Sequence, residues 1–187
     1  MVAMNSDEQP QMIAGPEGLN VKRPVYRCHV GSWEELRELT FPSEHFVLLL
    51  AADYSAVEGS AMVEVARKLI AKGNAYLCAW GDACEEGETQ WEAAAEDAEE
   101  KYGFTAMATS HDEETLEEAV WYALNCAFVD KHIEKSTSVV LVTVGEPQWK
   151  AVIEGIFEDP EAFEDRELED YKVSPEEMEK KHLDDYS

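Results

Sequence analysis

Four side chains capable of chemistry stand just beyond strand-like apolar runs. Asp53 follows H-F-V-L-L-L-A-A (His45–Ala52), and Asp82 and Cys84 follow N-A-Y-L-C-A-W (Asn74–Trp80). His111 follows F-T-A-M-A-T (Phe104–Thr109). A thiol beside an imidazole can be held as a thiolate, which is the nucleophilic form, so His111 activating Cys84 would give a hydrolase or a transferase. Asp82 and Asp53 complete the candidate catalytic set. The competing reading is that residues after strands are polar because they meet water, with Ser110 and Asp112 only capping a helix. The sequence contains no Walker A loop, no G-x-G-x-x-G, no G-x-S-x-G and no H-E-x-x-H, and so none of the chemistry those motifs carry. The loops after the strands lack the glycine clusters that cradle phosphate, so no cofactor is expected. His111, Asp112, Glu113 and Glu114 adjoin one another, but no second His or Cys cluster stands at ligand spacing; no metal is expected.

The elements that position these residues follow from periodicity. His45–Ala52, Asn74–Trp80 and Ser138–Val144 are nearly continuous apolar runs, as in strands buried on both faces. Phe104–Thr109 is a further strand, and Val25–Val30 alternates like a short edge strand. Between them, Glu58–Lys72, Thr89–Tyr102 and a segment from Thr115 to about Ala127 carry apolar residues at helical spacing, and Pro147–Phe157 is a last helix. Ser32 and Glu35 form the signature of a capping box before a brief helix. Strands alternating with helices predict an α/β fold, a three-layer αβα sandwich with a four-stranded, mainly parallel sheet and one extra edge strand. The expected order places Asn74–Trp80 and Phe104–Thr109 on either side of His45–Ala52, with Ser138–Val144 outermost. Ligands in such sheets bind at the carboxyl ends of the strands, which here present Asp53, Tyr54, Ser55, Asp82, Cys84, Ser110, His111, Asp112, Gly145 and Glu146. In this order the strand ends before Cys84 and His111 lie two spacings apart, roughly 9.6 Å. Contact between them would require both loops to fold over the end near Asp53.

The chain divides into an N-terminal arm (1–24), a single α/β domain (25–158) and an acidic C-terminal tail (159–187). The arm mixes Pro, Gly, Gln and Asn without periodicity. Residues 151–187 hold fourteen acids against four bases, with a short helix expected around Pro175–Lys181. Both tails are expected to be dispensable for folding. The formal net charge is −26, which repels phosphates and so excludes direct binding to nucleic acid or an anionic membrane. The longest apolar stretch, Phe46–Ala52, is far too short to span a membrane. Met1–Gly15 has no secretory pattern, and Cys28, Cys78, Cys84 and Cys126 show no disulfide spacing, so a cytoplasmic location with reduced thiols is expected.

Three segments, A-W-G-D-A-C (Ala79–Cys84), T-S-H-D-E-E-T-L-E-E-A-V-W (Thr109–Trp121) and S-V-V-L-V-T-V (Ser138–Val144), together resemble a small uncharacterised bacterial family of α/β proteins, a domain of unknown function. Its members share A-W-G-x-x-C and H-x-x-E-x-L-x-E-x-x-W segments. The resemblance covers roughly residues 45–146 and departs at Ser110, where the family has an aromatic, and at Thr143, where it has a histidine. It implies a fold and a shared site, not a reaction. Three functions are therefore weighed. The first is a non-enzymatic acidic protein that binds a basic protein partner; the second is the Cys84–His111 hydrolase or transferase. The third is an acidic mimic of nucleic acid that occupies a basic groove.

Overall fold

The computed structural model describes residues 11–16, 19 and 23–171, with side chains as far as Arg166. The short helix expected around Pro175–Lys181 and the first ten residues of the arm lie outside this set. The strands are β1 (Ile13–Ala14), β2 (Val25–Val30), β3 (His45–Ala51), β4 (Asn74–Trp80), β5 (Met107–Ser110) and β6 (Thr137–Val144). The helices are α1 (Trp33–Glu38), α2 (Gly59–Ala71), α3 (Cys84–Ala95), α4 (Ala98–Tyr102), α5 (Leu116–Asn125), α6 (Pro147–Glu158) and α7 (Pro160–Tyr171), with 3-10 turns at Tyr54–Ala56 and Glu134–Ser136.

The strands form one sheet in the order β1-β2-β6-β3-β4-β5, parallel throughout except for β1. This corrects the expected count of four strands, the expected order and the placing of Val25–Val30 at an edge. The physical reason lies in burial. All eight residues of β6 are buried, which suits a strand with neighbours on both sides, whereas the short, half-exposed β5 belongs at an edge. The connection from β2 through α1 to β3 leaves a strand-wide gap, and β6 fills it.

Alternation along each strand then separates two cores. Phe46, Leu48 and Leu50 of β3, with Val140 and Val142 of β6, meet Leu36 of α1, Leu69 of α2 and Trp91 of α3 on the first face. Val47 and Leu49, with Val139 and Leu141, meet Val120 of α5 and Ile153 of α6 on the second. The helix expected over Thr89–Tyr102 starts five residues earlier, at Cys84, and breaks between α3 and α4. Its first turn carries Glu85 and Glu86, which complement the helix dipole. Phe104 is buried ahead of β5, and the Thr105 amide donates to Asp130 Oδ2 at 2.8 Å instead of entering the ladder.

The ends of the chain also contribute. Leu19 is buried against the second core, and Phe163 of α7 is fully buried there. Arg166 Nη2 reaches Glu117 Oε1 of α5 at 3.1 Å. The expectation that everything after residue 159 is dispensable meets a buried side chain in Phe163, which packs in the second core. Truncating a buried Phe costs about 3–5 kcal/mol, so Phe163→Ala should lower the denaturant midpoint clearly in urea unfolding followed by circular dichroism. A midpoint equal to that of the parent chain would show that α7 does not stabilise the domain.

Candidate functional site

β3 leads into α2 on the first face, while its neighbour β6 leads into α6 on the second. Adjacent parallel strands whose connections depart to opposite faces leave a crevice outside their carboxyl ends. A cavity of about 510 Å³ lies there. Gly31, Trp33, Glu34 and Arg37 come to it from β2 and α1, Asp53 and Glu58 from the β3–α2 connection, and Gly145 and Glu146 from the end of β6.

The walls are held by local hydrogen bonds. Ser32 Oγ accepts from the Glu35 amide at 3.3 Å, and Glu35 Oε2 accepts from the Gly31 amide at 2.8 Å, so the capping pair fixes the entry of α1. Asp53 Oδ1 accepts from the amide and hydroxyl of Ser55 at 3.0 and 2.6 Å, which shapes the turn at Tyr54. The Trp33 ring stands edge-on to Tyr54, with centroids 5.5 Å apart, and the Tyr54 hydroxyl donates to the Leu50 carbonyl at 2.9 Å. Gly87 permits α3 to close over Tyr54, since a Cβ there would fall 2.3 Å from Tyr54 Cδ1. Arg37 is half-buried, and its Nε is buried without a hydrogen-bond partner among the described residues.

The other candidates occupy the edge formed by β4 and β5. Gly81 has φ +114°, and a Cβ there would lie 2.2 Å from the Ala52 carbonyl oxygen, so only glycine fits this turn. Asp82 is exposed, and its carbonyl accepts from the Tyr54 amide at 2.9 Å. Cys84 is 1% exposed and belongs to the first core, where burial pushes its thiol up against a smaller opposing pull from the His111 backbone amide. His111 Nδ1 lies 2.7 Å from Glu114 Oε2 and Nε2 lies 3.1 Å from Thr109 Oγ1, while the ring meets Tyr122 of α5 edge-on. The Trp80 indole donates to the Glu114 carbonyl at 2.8 Å and so joins the end of β4 to this network.

β4 and β5 are neighbours, so the two-spacing gap expected between Cys84 and His111 does not exist. The structure brings the His111 backbone to the thiol, but it aims the imidazole at α5, toward the second core, and engages both ring nitrogens there. Asp53 lies instead in the crevice beside β6. Sequence reasoning reached Asp53, Gly145 and Glu146 of that crevice and missed Trp33, Glu34, Arg37 and Glu58. The capping signature at Ser32 was the available signal, since it starts α1 directly after β2. Among the described residues no three His, Cys, Asp or Glu side chains gather as a metal site, and no helix is long and apolar enough to cross a membrane.

A family model described as a domain of unknown function, DUF7684, matches residues 25–160. The chain belongs to this family. The match runs from β2 to the first residue of α7 and takes in both the crevice and the Trp80–His111 edge of the DUF7684 domain. No curated protein matches the chain.

Within the DUF7684 domain the thiols share one electrostatic condition. Burial pushes Cys28 up to about 11 and also raises Cys78, Cys84 and Cys126 above the ordinary thiol value. An unfolded chain releases these protons near the ordinary value of 9.0 while the folded chain keeps them, so stability should decline as the pH rises past that point. Alkylation of Cys84 by iodoacetamide at pH 8, followed by peptide mapping, should run at least about tenfold slower than that of a free thiol. A rate equal to that of glutathione would show an open, activated thiol instead.

Proposed function

We propose that this domain is a non-enzymatic binding protein that holds a basic segment of a partner protein across the carboxyl edge of its sheet. One observation carries the reading. The crevice where β3 and β6 diverge is bounded by four carboxylates, Glu34, Asp53, Glu58 and Glu146, against the single guanidinium of Arg37. Those charges sit within a chain of net charge −26, whose field would attract a basic partner and speed its encounter. Trp33 in the same wall offers an aromatic face to a Lys or Arg side chain.

The same field would repel nucleic acid and anionic lipid, so neither is a proposed partner. Four unpaired cysteines fit a reducing, cytoplasmic setting. The hydrolase or transferase alternative draws no support from an imidazole whose nitrogens meet Glu114 and Thr109. Carboxylates gathered round a concavity favour a peptide over a nucleic-acid-like stripe.

A fluorescent oligolysine peptide, followed by anisotropy, provides the test. Its binding should weaken steeply as salt rises, because surface charges are screened beyond about 8 Å at physiological ionic strength. Glu34→Gln with Glu58→Gln should weaken it by about fivefold at low salt, the worth of two partly exposed pairs. Glu92→Gln with Glu99→Gln, on the exposed side of α3 and α4, should have less effect. Equal losses from the two pairs of substitutions would dissolve the assignment to the crevice.

A further inference from the structure

Arg37 is anomalous in this chain. Acids outnumber bases by 41 to 15, and most cations described have an acidic neighbour. Arg27 pairs with Glu154, Arg67 with Glu64, Lys68 with Glu38, Lys101 with Asp97 and Arg166 with Glu117. Arg37 lies three residues from Glu34 and one from Glu38, in a wall it shares with three further carboxylates, yet it forms no ion pair within the described residues. Its Nε is buried and, like that of Arg27, has no hydrogen-bond partner among the described residues, but Arg27 keeps an ion pair and Arg37 does not. A buried donor left without an acceptor is costly and uncommon in folded proteins, and one that lines a cavity marks where an acceptor from outside belongs. The guanidinium fork matches a carboxylate, which it can hold through two parallel hydrogen bonds.

A second feature of the cavity also favours an anion, at the end of α2 away from Lys68 and Lys72, which meet α1 beside Arg37. The thirteen-residue helix α2 begins there behind Glu58, whose side chain makes no capping hydrogen bond to it. The first amide groups of a helix favour negative charge. The acidic rim, in contrast, suits positive charge. A ligand that satisfies both carries a carboxylate at one point and cations beside it, and the end of a basic polypeptide has that chemistry.

Resting on the reading of this crevice as a site for a basic partner, we propose that it captures the partner's C-terminus, with Arg37 anchoring the terminal carboxylate. Glu34, Asp53, Glu58 and Glu146 then hold the Lys or Arg side chains that precede it. Capture of a free chain end is an established mode of peptide recognition, and it gives specificity that charge attraction alone does not.

The experiment is calorimetric titration of the full chain with a short lysine–alanine peptide in two forms, one ending in a free carboxylate and one in an amide. The free acid should bind about tenfold more tightly, the scale of one charge-assisted bidentate contact. Arg37→Gln should bring the ratio of the two affinities to about one, and Arg37→Lys should restore part of it. The wild-type comparison stands even if a variant fails to fold. Equal affinity for the two forms would remove the anchor while leaving the basic-partner reading intact. Absence of binding by either form would overturn both. Free L-lysine binding as tightly as the free-acid peptide would replace a protein partner with a small molecule.

Discussion

The parallel pairing of β6 with β3 is the contact on which the rest of the structure depends. It runs in unbroken register from His45 opposite Thr137 to Ala51 opposite Thr143. Both strands are almost wholly buried, so each residue of the pair serves one of the two cores and none is free to slip: a shift of one position would turn every side chain to the wrong face. Because β6 enters between β2 and β3 and leads to α6 on the second face, while β2 and β3 lead to α1 and α2 on the first, the crevice at their carboxyl ends follows from the topology. α1 and the 3-10 turn at Tyr54 are short, and each is fixed both by local hydrogen bonds and by a side chain, Leu36 or Tyr54, buried in the first core.

Charge acts on this frame selectively. Screening limits exposed charges to a reach of about 8–10 Å at physiological salt, so most of the acidic surface acts as a diffuse attractor and only the groups at the rim can choose a ligand. Among these, Arg37 carries the opposite sign and has no partner in the described chain. The Trp80–His111 edge has a different character. There the indole, the imidazole, Glu114 and Thr109 satisfy one another, and the segments that resemble the family act as a clasp joining β4, β5 and α5.

Much of the architecture was legible in the chain. β4 spans the run read for it, β3 and β6 depart from theirs by one residue at one end, and α2 lies within Glu58–Lys72. These elements show because full burial demands continuous apolar residues, and amphipathic helices repeat with a fixed period. Strand order was not legible, because the length of a crossover does not state how many strands it passes. The total burial of T-S-V-V-L-V-T-V was the neglected clue that this strand is central. Phe163 escaped notice because a single ring in an acidic helix has meaning only once its place against α5 and α6 exists. Cys84 opens α3 on the first face, whereas His111, just past β5, turns its ring to Tyr122 of α5, a divergence that sequence spacing near a loop does not reveal. Arg37 could not have been singled out at all, since its significance is the lack of a side-chain partner among the described residues.

The most direct measurement is amide chemical-shift mapping by NMR as a basic peptide with a free C-terminus is added to the full chain. The account predicts shifts concentrated at Gly31–Arg37, Asp53–Glu58 and Gly145–Glu146, around the end of the β3–β6 pair. Shifts spread evenly along the acidic surface of α3, or centred on Cys84 and His111, would contradict it.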